Sequence, residues 1–324
     1  MFYELRESSM PSSPYSPRSF ILPFIPLTKI AIVATASVSP EAEVKNLEKI
    51  IPEKFSVPVV FGSECYIPPK NAQEKAERFL SYCLDDSVSH LWSCRGGEGS
   101  ADIIIYLEEN LDKLKKAKPK MLIGFSDFTV ILIFFSQKLG WPAVHGMGAL
   151  QWVRKFPDDL TMDKTLDLVI NKKYSGVLNN LTALNQAGLK AQESKQIIQG
   201  ELTGGNLTLL AISIKDSWEI ETAGKILFIE DWNEKGYQMQ RALKYFYRIK
   251  KLENIKALII GDLMAGRLDP DDLENKKQEE ILWRLIRVFA EDYLKEIPVF
   301  YTSRIGHGNA NDPLVLGWDV RLEY

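Results

Sequence analysis

A chain of 324 residues is long enough for two domains, each with its own core. Hydrophobic residues make up 45% and charged residues 26%, an ordinary globular balance, and a formal net charge of -3 offers no basic surface for nucleic acid or an anionic membrane. The three cysteines, Cys65, Cys83 and Cys94, are odd in number and lack C-x-x-C spacing, which points away from a disulfide framework or zinc site and toward a reducing compartment.

No apolar run approaches the roughly 20 residues of a membrane span. Phe20 to Leu27 is apolar but broken by Pro23 and Pro26, with neither a basic lead nor a small-residue cleavage site. Residues 1–27 therefore read as a flexible extension, and the protein as cytoplasmic. Lys29 to Thr35 is a buried strand, and Ser39-Pro40 caps and opens a helix over Glu41 to Ile51. A second strand follows at Phe55 to Phe61, a helix over Asn71 to Leu84 and a third strand at Val88 to Cys94. Arg95-Gly-Gly-Glu-Gly-Ser100 is a glycine-rich turn, and Ala101 to Asn110 is helical. A fourth strand begins at Met121 and a short fifth covers Ala143 to Gly146. Strands alternating with helices predict a parallel, doubly wound α/β domain over residues 28–165.

Periodicity weakens between Trp152 and Gln199, so residues 166–195 read as a linker and residues 196–324 as a second domain. There Gly204-Gly205-Asn206 reads as a turn leading into a helical stretch, Leu207 to Ile214. Lys225 to Glu230 is a strand ending on an acid, Tyr237 to Ile249 a helix, Ala257 to Gly261 a strand and Lys276 to Leu294 a long amphipathic helix. Pro298 to Thr302 is a last strand before Arg304-Ile-Gly-His-Gly-Asn309.

The richest stretch for chemistry is Met121 to Phe135. A strand meets Gly124, then Ser126-Asp127, then a long apolar helix whose free N–H groups face the same point. This is the pattern of a nucleophile elbow without its second glycine, because position 128 is Phe. The alternative is a serine that only caps the helix. A serine nucleophile needs a base, and the chain has three histidines. His90 lies inside an apolar strand and reads as a core residue. His145 ends a strand and could line the same cleft as Ser126. His307, between Gly306 and Gly308, reads either as a presented imidazole or as a turn residue. Glu230 is the candidate acceptor for a base histidine, against the reading of a solvated strand-end acid. Gly96-Gly97 and Gly99 could offer oxyanion N–H donors at the carboxyl edge of the sheet, where open α/β sheets bind ligands. A nucleotide-binding reading of that turn is poor, since it is not G-x-G-x-x-G and Glu98 would repel phosphate.

Taken together, these blocks resemble the LD-carboxypeptidase (muramoyl-tetrapeptide carboxypeptidase) family of serine peptidases, which also contains the microcin C self-immunity peptidases. The blocks stand in family order from about Lys29 to Gly317: Arg95 to Ser100, Ile123 to Thr129, His145-Gly146, Gly204 to Leu207, Phe228 to Asp231 with Tyr237 and Arg241 beyond, and Gly306 to Gly308. The resemblance implies a flavodoxin- or Rossmann-like N-terminal half and a β-rich C-terminal half with attached helices. It implies a triad of Ser126, Glu230 and His307 at the interface of the two halves, in a homodimer without cofactor or metal. Two positions depart from the murein-directed members: Glu98, where an aromatic is usual, and Met147, where proline often follows His-Gly. Glu230 to Tyr237, in contrast, looks more like the murein-directed branch.

The implied activity is hydrolysis of the L,D-peptide bond to a C-terminal D-amino acid, D-alanine from murein tetrapeptide, through an acyl-enzyme. Backbone N–H groups of Gly97 and Asp127 would hold the oxyanion. Arg95, Gly96, Glu98, Gly204, Gly205 and Asn206 are the candidates for holding a short peptide substrate. The competing readings are a peptidase that inactivates a peptidyl-nucleotide antibiotic and, more distantly, a catalytically silent peptide-binding protein.

Overall fold

The computed structural model describes residues 25–263 and 273–324. Most of the apolar N-terminal extension read from the sequence, residues 1–24, lies outside them. Among the described residues the strands form two sheets. The strands are β1 (Ile30–Val33), β2 (Val59–Phe61), β3 (His90–Ser93), β4 (Met121–Gly124), β5 (Ala143–His145), β6 (Val177–Leu178), β7 (Thr182–Ala183), β8 (Ile198–Asn206), β9 (Ile226–Glu230), β10 (Ala257–Asp262), β11 (Val299–Gly306), β12 (Leu314–Leu316) and β13 (Asp319–Leu322).

The first sheet has the order β12-β5-β4-β3-β1-β2, and every pair in it is parallel except β12 against β5. The second has the order β6-β13-β8-β9-β10-β11-β7, with a parallel centre from β8 to β11. Helices 236–248 and 273–293 pack on each other and into the same core, so the expected β-rich half carries the helices the sequence predicts.

Three elements differ from the sequence reading. Gly204-Gly205-Asn206 is the end of strand β8, not a turn: its register with Phe228, Ile229 and Glu230 is continuous. The two glycines mimic a turn signal, yet their role is close approach, since a Cβ on Gly204 would lie 1.9 Å from the Phe228 carbonyl oxygen. Residues 166–195, read as a linker, contain the end of helix 159–169, the two-residue strands β6 and β7 and helix 186–193. Such short strands carry no readable alternation. Strands β12 and β13 follow the glycine-flanked histidine, and β12 returns to pair with β5 of the first sheet.

Helix 129–139 explains the long apolar segment after Ser126. Thr129 through Phe135 are all buried, because the helix is sandwiched between the sheets and has no solvent face over its first two turns. It ends on Gly140, whose φ of 65° provides the left-handed cap. Its buried residues share one core with Leu91 and Leu122 from one sheet and Leu202, Leu227 and Ile229 from the other. The carboxyl ends of β4 and β9 are thereby held against one seam.

Candidate active site

The chain turns sharply at the carboxyl end of β4. Phe125 is extended, and Ser126 takes a φ of 58°, a left-handed conformation that costs a non-glycine residue about 1–2 kcal/mol. The elbow pattern missing its second glycine is therefore still an elbow. Phe128 is fully buried over Gly124, where a Cβ would come within 2.6 Å of its ring. The glycine before the serine makes room for the phenylalanine after it, so no glycine is needed at 128.

The glycine-rich turn after β3 lies directly against this serine. A Cβ on Gly96 would sit 2.8 Å from both Cβ and Oγ of Ser126. Gly97, at φ 135°, packs on Ser37. The buried Asp127 carboxylate accepts the Ser100 N–H at 2.8 Å and so ties the elbow to the end of that turn. Burial raises the Asp127 pKa above the usual carboxylate value. The Asp127 N–H opens a helical segment and has no intrahelical acceptor. Arg95 is half-buried and its Nε donates to the Gly96 carbonyl at 3.2 Å, while Glu98 is exposed.

The second sheet contributes an acid and a histidine. Glu230 is completely buried at the end of β9, and its Oε2 accepts from His307 Nδ1 at 2.6 Å. That bond places the proton on Nδ1 and leaves Nε2 as the basic nitrogen. Burial disfavours the charged form of His307, but the facing Glu230 outweighs it, with Asp231 and Asp262 adding to the pull, and the imidazole pKa is raised above 6.5. For Glu230 burial is likewise outweighed by His307, and the carboxyl pKa falls below its ordinary value. Both glycines flanking His307 are forced by packing. A Cβ on Gly306 would lie 3.0 Å from Glu230 Cβ, and one on Gly308 would lie 2.1 Å from Asp262 Oδ2.

The His307 loop is anchored from the region of weak periodicity. Arg304 pairs with Asp158 and Asp312 at 2.5 Å each, and Asp312 also takes Lys164 at 2.6 Å. Asn311 Oδ1 accepts the Gly306 N–H at 3.1 Å. Asp158 and Lys164 lie far from His307 in the chain and no sequence signal marks them, while Asn311 and Asp312 follow it closely but fall outside its glycine-flanked motif.

Phe125, the residue before Ser126, lies against His307, its ring 4.7 Å from the imidazole. Among the described residues no side chain hydrogen-bonds to Ser126 Oγ; in resting hydrolases such bonds commonly tighten only when substrate is bound. Trp232, 41% exposed, also packs on His307, with ring centroids 5.4 Å apart. Its backbone N–H is held by Asp231, which also accepts from Asn206 Nδ2 at 2.9 Å and from the Thr208 N–H and hydroxyl. Burial, with Glu230 adding to it, raises the Asp231 pKa to about 6. Phe125, Asp231 and Trp232 are the residues sequence reasoning passed over, and their adjacency to Ser126 and Glu230 was the available signal. Gly204 and Gly205 sit at the seam, Gly205 against Thr129, and Asn206 stands opposite Glu230 in register. His145 is fully buried beside Phe228, and His90 is a buried strand residue bonded to Ser89. Among the described residues no group of three or more His, Cys, Asp or Glu could hold a metal ion, and no helix is long and apolar enough to cross a membrane.

The LD-carboxypeptidase N-terminal domain matches residues 30–146 and the C-terminal domain residues 199–322. A carboxypeptidase homologue from Rickettsia prowazekii is 33% identical over 90% of this chain and 86% of its own. Murein tetrapeptide carboxypeptidase of Pseudomonas aeruginosa is 29% identical over 73% of each chain. The crystal structure of muramoyltetrapeptide carboxypeptidase from Oxalobacter formigenes shares the fold, with a TM-score of 0.72 over 92% of this chain and 95% of that one at 22% identity. Microcin C7 self-immunity protein MccF of Escherichia coli is 23% identical over 58% of this chain and 60% of its own. The two matched domains span most of the sequence, the first containing Ser126 and the second Glu230 and His307: this chain belongs to the LD-carboxypeptidase family of serine-type carboxypeptidases.

Proposed function

We propose that this chain hydrolyses the L,D-peptide bond to a C-terminal D-amino acid, releasing D-alanine from murein tetrapeptide, through a Ser126–His307–Glu230 triad and an acyl-enzyme. The observation that carries the reading is the buried 2.6 Å His307–Glu230 pair on one side of a seam, with a strained serine at the facing strand end. His307 Nε2 takes the proton of Ser126 as its Oγ attacks the amide carbonyl. The N–H groups of Gly97 and Asp127 receive the oxyanion. His307 then protonates the leaving D-alanine amine, and water clears the ester by the same route in reverse. The charge of Glu230 stabilises the imidazolium at each transfer.

A carboxypeptidase must also hold the terminal carboxylate, and the candidate for that task is Arg95, which precedes the Gly96 that packs on Ser126. Glu98 at the exposed rim, and Gly204, Gly205 and Asn206 at the seam, would border the rest of a short peptide. Murein tetrapeptide carboxypeptidase activity in a relative covering most of the chain supports this substrate class. The same reading carries a homodimer in the cytoplasm, and light scattering of purified protein tests the oligomeric part.

The deciding experiment measures D-alanine release from murein tetrapeptide beside a control ending in L-alanine. Release from the first alone, abolished in Ser126→Ala, is expected; equal release by Ser126→Ala would overturn the assignment. One feature favours a second reading: Trp232, exposed against His307, offers a face on which a nucleobase could stack, and MccF is among the relatives. Faster turnover of an aminoacyl sulfamoyl nucleoside than of tetrapeptide would select it.

A further inference from the structure

The turn after β3 carries Gly97, one of the two N–H donors in the oxyanion reading above. Gly96, Gly97 and Gly99 give this turn more backbone freedom than any other residues would allow. The direction of the Gly97 N–H therefore depends on what grips the turn from outside. Gly96 packs on Ser126, Lys75 Nζ donates to the Gly99 carbonyl at 3.3 Å, and the Asp127 carboxylate accepts the Ser100 N–H at 2.8 Å. The remaining grips come from the loop after β1.

That loop carries Thr35 and Ser37. Ser37 Oγ accepts the Glu98 N–H at 3.2 Å. Gly97 has a φ of 135°, and a Cβ on it would lie 2.2 Å from Ser37 Oγ and 3.0 Å from Ser37 N, so the serine lies directly against that glycine. Two residues earlier, the hydroxyls of Thr35 and Ser100 are 2.7 Å apart, with both side chains fully buried. The loop thus holds both ends of residues 97–100, and Ser37 is its contact at Gly97. Register explains the meeting: β1 pairs with β3 with Val33 opposite Ser93, so the two strands release their loops side by side.

We propose that Ser37 is a positioning residue for the reaction, one that aims the Gly97 N–H by holding the peptide on the far side of that glycine. The inference rests on the oxyanion reading above. Gly96 against Ser126 fixes the peptide before Gly97, and the Ser37 acceptor fixes the peptide after it. With both held, the dihedrals of Gly97 have no room to relax. A donor serves the transition state only if it is already in place when charge develops on the oxygen. Loss of the Ser37 acceptor therefore acts on kcat and leaves the ground-state complex nearly untouched. Thr35, paired with Ser100, keeps the far end of the segment in place whatever stands at 37.

The test uses Ser37→Ala, which removes the acceptor, and Ser37→Thr, which keeps it. In D-alanine release from murein tetrapeptide, Ser37→Ala should lower kcat about tenfold and change KM by less than about twofold. Affinity for a peptidyl boronic acid should fall by the same factor of about ten. In that adduct Ser126 Oγ adds to boron, its proton passes to His307, and one oxygen of the tetrahedral boronate takes the oxyanion position. Ser37→Thr should recover most of both losses. A kcat unmoved in Ser37→Ala, or a loss confined to KM, assigns Ser37 to packing or to substrate contact and overturns the proposal. So does a fall in kcat with unchanged boronate affinity, or one that Ser37→Thr does not restore. The triad reading fails separately, if Ser126→Ala keeps wild-type turnover.

Discussion

The two strand ends that meet at the seam are held in place by different forces. The Ser126 end is fixed by backbone: a left-handed Ser126, a Gly124 that admits the Phe128 ring, and a Gly96 with no room for a Cβ beside the serine. The Glu230–His307 end is fixed by side chains: the bond between the two, the Asp231 cluster and the ion pairs of Arg304. A backbone-held group is set by shape, and changes to it should act equally at every pH. A group held by hydrogen bonds and charge is set by protonation, and changes to it should alter the pH profile.

The largest expected effect removes the reacting atom. Ser126→Ala should lower kcat for D-alanine release by about ten-thousand-fold or more, with substrate binding retained in calorimetry. It should also relieve the left-handed strain only slightly, since alanine is no better suited to that φ than serine. On the other side, Glu230→Gln should cost about a thousandfold in kcat, because the amide can donate to Nδ1 and favour the wrong tautomer. The pH profile separates the two ends. With a His307 pKa above 6.5, wild-type kcat/KM should fall as pH drops through that raised value and the base becomes protonated. In Glu230→Gln the acid limb should move to lower pH. An acid limb unmoved by Glu230→Gln would show that His307 is not the titrating base.

Gly96→Ala is the corresponding break on the backbone side. The added Cβ would lie 2.8 Å from Ser126 Oγ, so the serine must shift, and kcat should fall about a hundredfold. Because nothing titrates, the loss should be the same from pH 6 to pH 9, about a hundredfold throughout. A Gly96→Ala enzyme whose loss varies with pH would mean the two ends are not held independently.

The same division governs what could be read from the sequence. Backbone devices leave local marks: Gly124 before Ser126, the glycines after β3, and Gly306 and Gly308 around His307 are all visible as short motifs. The parallel order of the first sheet followed from strands alternating with helices for the same reason. Side-chain networks join residues far apart in the chain, and Arg304 with Asp158 or Lys164 with Asp312 leave no mark. Gly204-Gly205 misled in a specific way. Glycines that admit a neighbouring strand and glycines that turn the chain look alike, and only the continuous register of β8 on β9 distinguishes them. Phe125 and Trp232 carry no mark of their contact with His307, because only the tertiary fold brings their rings to it.

The smallest expected effect lies where the two ends are joined. Thr129, the first residue of the sandwiched helix and fully buried, accepts the Asn206 N–H at 3.2 Å. Asn206 in turn holds Asp231 and stands opposite Glu230, so this one hydroxyl links the helix behind Ser126 to the strand that carries the acid. Thr129→Val keeps the shape that Gly205 packs against but leaves a buried N–H without an acceptor, at a cost of about 1–3 kcal/mol in unfolding free energy. Denaturant melts would read that loss directly. If the ends are set independently and only docked at the seam, kcat should fall no more than about threefold and the acid limb should stay where it is. A loss of stability accompanied by a shifted acid limb would instead mean that the seam itself tunes His307.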